Sequence, residues 1–304
     1  MKHSWLVTFA LLATFLAAQF FGLFLITKEA NVQTVNGTIT VQYGDTALGE
    51  RPKTEGSQSF LLVVIGVGIG TILLLLLMKF NKIGIWKFWF FLAVWFAITV
   101  TLGVFFPAFI ALLIAAALAA WKLWKPNLII HNLTEIFMYG GIALLFVPLF
   151  NVLWALLLLL AVSLYDAYAV WKSKHMVKMA QFQTKSNLFA GLYFPYKQKE
   201  HASKHAVHAS THHATPLLPG KHKHAILGGG DIAFPLLFAG TALTQLFSTG
   251  MTKSAAFLHT TPVVLGAALA LGLLFYFAKK DKFYPAMPFL TIGCLVGYAV
   301  MFLM

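Results

Sequence analysis

Nine stretches of the chain are each apolar over close to the length that carries an α-helix across roughly 30 Å of hydrocarbon, about 20 residues. They lie at residues 5–26, 59–79, 86–104, 105–123, 127–147, 149–171, 226–248, 256–278 and 284–303. A chain that is 60% hydrophobic and only 10% charged has too little polar surface for a water-soluble domain. The expected fold is therefore all-α: a polytopic membrane protein with nine transmembrane helices in one membrane domain. The third and fourth spans come from one uninterrupted stretch, Ile85 to Trp121, with a turn expected at Gly103 to Pro107. The fifth and sixth divide near Pro148 and Asn151.

The first run follows Lys2 and His3 but is longer than an ordinary signal-peptide core and has no clean small-x-small exit, so it reads as a retained span. Residues 27–58 form the first polar loop, in which Val32 to Tyr43 alternates around Asn36-Gly37, the signature of a β-hairpin. Asn36-Gly37-Thr38 is also a glycosylation sequon. The single cysteine, Cys294, excludes an intrachain disulfide and a thiolate metal cluster.

The formal charge of +13 follows membrane topology rather than nucleic-acid binding. One side of a nine-span chain collects 18 of the Lys and Arg residues and the other collects Lys28, Arg51, Lys53 and Lys253. The positive-inside rule then places the N-terminus in the cytoplasm and the C-terminus outside. The second polar loop, 172–225, holds nine Lys, eight His and the single acid Glu200. It reads as a flexible cytoplasmic linker without a fixed metal site. The chain thus divides into spans 1–6 (1–171), this basic loop (172–225) and spans 7–9 (226–304).

Six of the nine acidic residues lie in loops; Glu135, Asp166 and Asp231 lie inside apolar runs. An ionisable group inside the bilayer costs several kcal/mol, at least about 2.5, so it is a functional candidate by default. Asp166 precedes Lys172 at the cytoplasmic end of span 6 and Asp231 follows Lys223 at the start of span 7. At about 1.5 Å per helical residue the two sit roughly 9 and 12 Å deep. Two carboxylates within a few ångströms share one proton. The ionised partner can deprotonate a water while the protonated one donates to a scissile carbonyl, giving amide hydrolysis without a covalent intermediate. Glu135 and His131, four apart on span 5, are expected to pair with each other as a structural unit.

The surroundings of these residues are also distinctive. Gly228-Gly229-Gly230 precede Asp231 and Pro235 follows, a poor start for a regular helix and one that lets another backbone approach closely. Pro285-Ala286-Met287-Pro288 at the start of span 9 predicts an extended, donor-poor backbone with free carbonyls. Trp86, Trp89, Trp121 and Trp124 cluster near span ends as interfacial anchors.

Taken together, Tyr165-Asp166, Gly228-Gly229-Gly230-Asp231 and Pro285-Ala286-Met287 resemble the YD, GxGD and PAL motifs of the presenilin and signal peptide peptidase family, in the same order and on the sixth, seventh and ninth spans. Tyr165 to Met176 looks especially like the archaeal presenilin homologues. The resemblance implies an intramembrane aspartyl protease with Asp166 and Asp231 catalytic, and it places Tyr165, Gly228, Gly229, Gly230, Pro285, Ala286 and Met287 around the substrate. It implies transmembrane proteins or peptides as substrates in a lipid bilayer; no cofactor, metal or nucleic acid is expected, and the completeness of the three motifs predicts activity without accessory subunits. Met287 replaces the family's Leu, a volume-conserving change. The charge bias matches the presenilin orientation rather than the inverted one of signal peptide peptidases. Two rival readings remain open on the sequence: a prepilin-peptidase-like protease, which would lack the PAL-like segment, and a transporter or ion-leak channel using the two Asp as a relay. The second would carry two related halves, and no internal repeat is visible.

Overall fold

A computed structural model describes residues 5–35, 37–54, 56–80, 82–125, 127–173, 189–196, 223–278 and 284–304. Among them are nine α-helices: α1 (Trp5–Glu29), α2 (Ser57–Lys79), α3 (Ile83–Gly103), α4 (Ala108–Trp124), α5 (Leu128–Phe146), α6 (Val152–Tyr168), α7 (Gly230–Ser248), α8 (Lys253–Phe277) and α9 (Met287–Leu303). Seven are long and apolar enough to cross a membrane, α6 when followed through its π-helical continuation to Lys172. The other two, α4 and α9, have 17 residues each, about 25 Å of helix at the usual rise. The expected all-α, multi-pass membrane architecture is the one observed.

Local chemistry explains where the long apolar stretches break. Helix α3 stops at Gly103, and Pro107, with φ −54 and ψ 148, stands in extended conformation as the N-cap of α4. Between α5 and α6 a single 3₁₀ turn, Val147–Leu149, contains Pro148, and the Asn151 side chain then accepts the Trp154 N–H at 3.0 Å. That side-chain acceptor satisfies one of the four N–H groups every helix start leaves open.

Without water to drive association, membrane helices pack where small residues let backbones approach. Helix α4 presents the buried stripe Ala111, Ala115 and Ala119 and packs on α3 and α5. At Gly141 of α5 a Cβ would run into the Ala97 carbonyl of α3. Helices α8 and α9 touch backbone to backbone: a Cβ at Gly266 would meet the Gly293 carbonyl, and one at Gly297 would meet Pro262. Helix α7 is the centre of the bundle, packed against α1, α5, α6, α8 and α9. Helix α2 is its opposite, touching α3 and α6 and exposing Leu61, Ile65, Ile69 and Ile72 to the lipid side.

The polar loop after α1 forms the expected hairpin, β1 (Ala30–Val35) and β2 (Thr38–Tyr43), in antiparallel register from Ala30↔Tyr43 to Val35↔Thr38. Gly37 turns it with φ 79; Asn36 of the sequon lies outside the described residues. The Tyr43 hydroxyl meets Thr244 Oγ1 of α7 at 2.7 Å, and burial pushes this phenol up to about 12. It therefore stays neutral and able to donate.

The basic loop departs from its reading as a flexible linker. Residues Gly191–Tyr196 form β3 and Lys223–Gly228 form β4, paired antiparallel from Gly191↔Gly228 to Tyr196↔Lys223. Residues 174–188 and 197–222, with most of the histidines, lie outside the described residues. Span 7 consequently begins as a helix at Gly230 rather than at 226. The helical rise used to place Asp231 about 12 Å deep does not apply, because the residues leading to it are strand.

Candidate active site

Three helix ends and one hairpin converge where α6 finishes and α7 and α9 begin. Asp166 lies in the last turn of α6, just ahead of a π-helical turn, Ala169–Ser173, and is 7% exposed. Asp231 is the second residue of α7 and is half-buried. Each carboxylate lies within electrostatic reach of the other, as the dyad reading requires.

Both carboxylates are held by backbone N–H groups. The Met287 N–H donates to Asp166 Oδ2 at 3.1 Å, and the Ala286 N–H donates to the same carboxylate. Pro285 stands outside α9, so the Ala286 and Met287 N–H groups fall at the helix start, where donors have no partner within the helix. The expectation for this segment is thus corrected: its N–H donors toward Asp166, rather than free carbonyls, are what the structure puts to use. Three residues before Asp166, Ser163 Oγ bonds Thr291 Oγ1 and ties α6 to α9.

Asp231 accepts the Gly228 N–H, and a Cβ on Gly228 would lie 3.2 Å from its carboxylate oxygen. Pro235, inside α7, lacks the N–H that would serve the Asp231 carbonyl. One residue on, the Ile232 carbonyl accepts the Gln19 side-chain amide of α1 at 2.9 Å. This buried amide, absent from the sequence reading, could have been found by asking why an apolar span carries a glutamine.

The β3–β4 hairpin leads directly into this turn, and the Gly229 N–H donates to the Ala190 carbonyl at 3.1 Å. It is docked on α5: Asn132 Nδ2 donates to the Tyr193 carbonyl and Asn132 Oδ1 accepts the Tyr193 N–H, both at 3.0 Å. His131 Nε2 lies 2.8 Å from the Gly191 carbonyl. The expected His131–Glu135 pair is therefore not formed. Glu135 instead takes Lys122 of α4 as its ion-pair partner and accepts the Tyr139 hydroxyl. Lys122, one of the 18 Lys and Arg residues counted on the cytoplasmic side, is 3% exposed.

Of the remaining sequence candidates, Tyr165 is 40% exposed on α6, whereas Met287 is 2% exposed and packed into the core. The structure thus brings Asp166, Asp231, Gly228, Ala286 and Met287 together and leaves the Tyr165 ring on the outer surface. Among the described residues no three His, Cys, Asp or Glu side chains gather as a metal-ligand set.

The family profile described as signal-peptide peptidase, presenilin aspartyl protease matches residues 56–304. Two solved structures of a presenilin-family intramembrane aspartate protease share the fold. One, in space group C222, superposes with a TM-score of 0.58 at 17% identity, covering 98% of each chain. The other, in space group P2, gives 0.59 at 18% identity and 99% of each chain. No curated protein matches the chain.

Proposed function

Because the chain belongs to the signal-peptide peptidase and presenilin family of intramembrane aspartyl proteases, we propose that Asp166 and Asp231 are its catalytic dyad and that it hydrolyses peptide bonds within transmembrane segments. The observation that carries the assignment is the meeting, at one end of the bundle, of the only two aspartates inside its spans.

The donor geometry divides the roles. Asp166 receives two backbone N–H groups from Ala286 and Met287, the setting of an acceptor-only, ionised carboxylate. Asp231 receives one, from Gly228, and carries the shared proton. Asp166 removes a proton from a water poised between them as the water attacks the amide carbon. Asp231 donates to the carbonyl oxygen, and proton return to the departing nitrogen cleaves the bond without a covalent intermediate. A helical substrate must unwind first, since its peptide groups are otherwise engaged in its own hydrogen bonds. Gly228, Gly229, Gly230, Pro285 and Ala286 flank the unwound segment, while Met287, enclosed in the core, acts through its N–H on Asp166 and the exposed Tyr165 ring lies apart.

The N-terminus and loop 172–225 face the cytoplasm and the C-terminus faces outward, as the lysine distribution directs. The dyad then works near the cytoplasmic face, from the chain alone and without accessory subunits. The test is cleavage of a single-span substrate in liposomes by purified wild type, Asp166→Ala and Asp231→Ala. Cleavage within the span by wild type alone, with both variants folded, establishes the dyad. Equal cleavage by all three refutes it.

A further inference from the structure

Helix α5 carries a polar ladder that the reaction as described leaves unused. Lys122 Nζ of α4 donates to Glu135 Oε1 and to Thr134 Oγ1, the latter at 3.1 Å, and Glu135 Oε2 accepts the Tyr139 hydroxyl. The exposures of Lys122, Glu135 and Tyr139 are 3%, 0% and 2%. Enclosing a charged pair so completely costs several kcal/mol per ion, commonly more than their attraction returns, and an apolar trio of the same volume would pack as well. The ladder therefore has to supply something besides cohesion.

Its far end shows what that is. The Tyr139 ring lies over Gly229, where a Cβ would come within 2.7 Å of the hydroxyl oxygen. Gly229 is the variable position of the GxGD-like motif, so here the tyrosine occupies the space a side chain would take. The hydroxyl proton is committed to Glu135, and toward the glycine turn the oxygen presents lone pairs. Tyr139 also lies within electrostatic reach of Asp231. With its own proton committed, the hydroxyl has none to give Asp231, and the ring closes off the space over a turn to which the neighbouring glycines would otherwise give wide conformational freedom.

We propose that Tyr139, fixed by the Lys122–Glu135 pair, is a positioning residue that holds the Gly228–Gly230 turn and keeps the Asp231 carboxylate facing Asp166. This rests on the dyad assignment above. The tyrosine touches the turn rather than the substrate, so its loss lowers turnover and leaves substrate binding in place.

The full chain in liposomes tests this with initial rates taken against the mole fraction of a single-span substrate. Tyr139→Phe keeps the ring and loses the hydroxyl; kcat falls about tenfold, the scale of a sub-ångström misplacement, with KM unchanged within about twofold. The paired change Lys122→Met with Glu135→Gln removes both charges together and gives a similar loss. Combined with Tyr139→Phe it gives no further loss, because the pair acts through the hydroxyl. Wild-type kcat in Tyr139→Phe overturns the proposal, as does a triple variant whose loss is the product of the two. If Tyr139→Phe fails to fold, the paired variant decides alone: lowered kcat at unchanged KM and melting temperature supports the proposal, and unchanged kcat overturns it. Asp231→Ala is assayed alongside. If it still cleaves, the dyad assignment falls and takes this one with it; if it is dead while Tyr139→Phe is fully active, only the positioning role falls.

Discussion

Replacing Ala286 by proline isolates one backbone donor to the dyad. Ala286 has φ −85 and ψ −32 and caps α9, so a proline ring, which prefers φ of about −65° within some 15°, fits with little adjustment. Its N–H takes no part in the helix, and its loss costs α9 no hydrogen bond. The loss falls on Asp166, which keeps the Met287 N–H at 3.1 Å but not the second donor. A hydrogen bond to a charged acceptor contributes about 1.5–3 kcal/mol. If that stabilisation serves the ionised base of the reaction, kcat/KM falls roughly 10- to 150-fold, at tenfold per 1.36 kcal/mol. Ala286→Gly retains the N–H and stays near wild type. The assay is cleavage of a single-span substrate by wild type and both variants, with thermal unfolding in detergent to confirm that α9 still docks. A proline variant that melts normally and cleaves within about twofold of wild type would show that these donors do not support catalysis.

Two further outcomes follow from the packing. Lys122→Met alone leaves Glu135 charged and enclosed and destabilises the fold by about 3–5 kcal/mol, whereas adding Glu135→Gln recovers most of it; the unfolding midpoints of the three chains measure this directly. Gly141→Ala drives a methyl into the Ala97 carbonyl and costs about 1–3 kcal/mol as α3 and α5 move apart. Gly66→Ala on α2, with nothing within 4 Å, is neutral or slightly stabilising in the same assay.

The spans were readable because crossing a bilayer demands a composition, and composition survives without knowledge of neighbours. Even the two unmarked breaks were visible in Pro107, Pro148 and Asn151, which act locally. Asp166 and Asp231 stood out because a carboxylate in lipid has no ordinary explanation. What stayed hidden depends on long-range pairing. The β3 and β4 strands are separated by residues 197–222 and no tight-turn signal joins them, so nothing local announces the hairpin. The His131–Glu135 spacing is correct for a helical pair, yet Glu135 found a lysine across the α4–α5 turn and His131 found a strand carbonyl. Gln19 and Asn132 carry no charge and so lack the mark that singles out an acid in lipid, although each uses its amide to grip a backbone, at Ile232 next to Asp231 and at Tyr193 of the hairpin.

The glycine contact between α8 and α9 also decides how the cleft can change shape. Gly266 meets Gly293, and Gly297 meets Pro262, with no side chain between them to yield. The wall that carries Ala286 and Met287 is therefore an anvil, unable to slide without breaking a backbone-to-backbone seam. The opposite wall, α6, is joined to it by side-chain packing, by Ser163 to Thr291 and by Asp166 to the Ala286 and Met287 N–H groups, and α2 rests against its outer flank. A widening between α6 and α9 that admitted a substrate helix would fall to α6, the side without the glycine seam, and would loosen Asp166 from its donors. Such an opened state would be catalytically slack until α6 closed again on the anvil. Spin-label distances between α6 and α9 should change on substrate binding while those between α8 and α9 stay fixed.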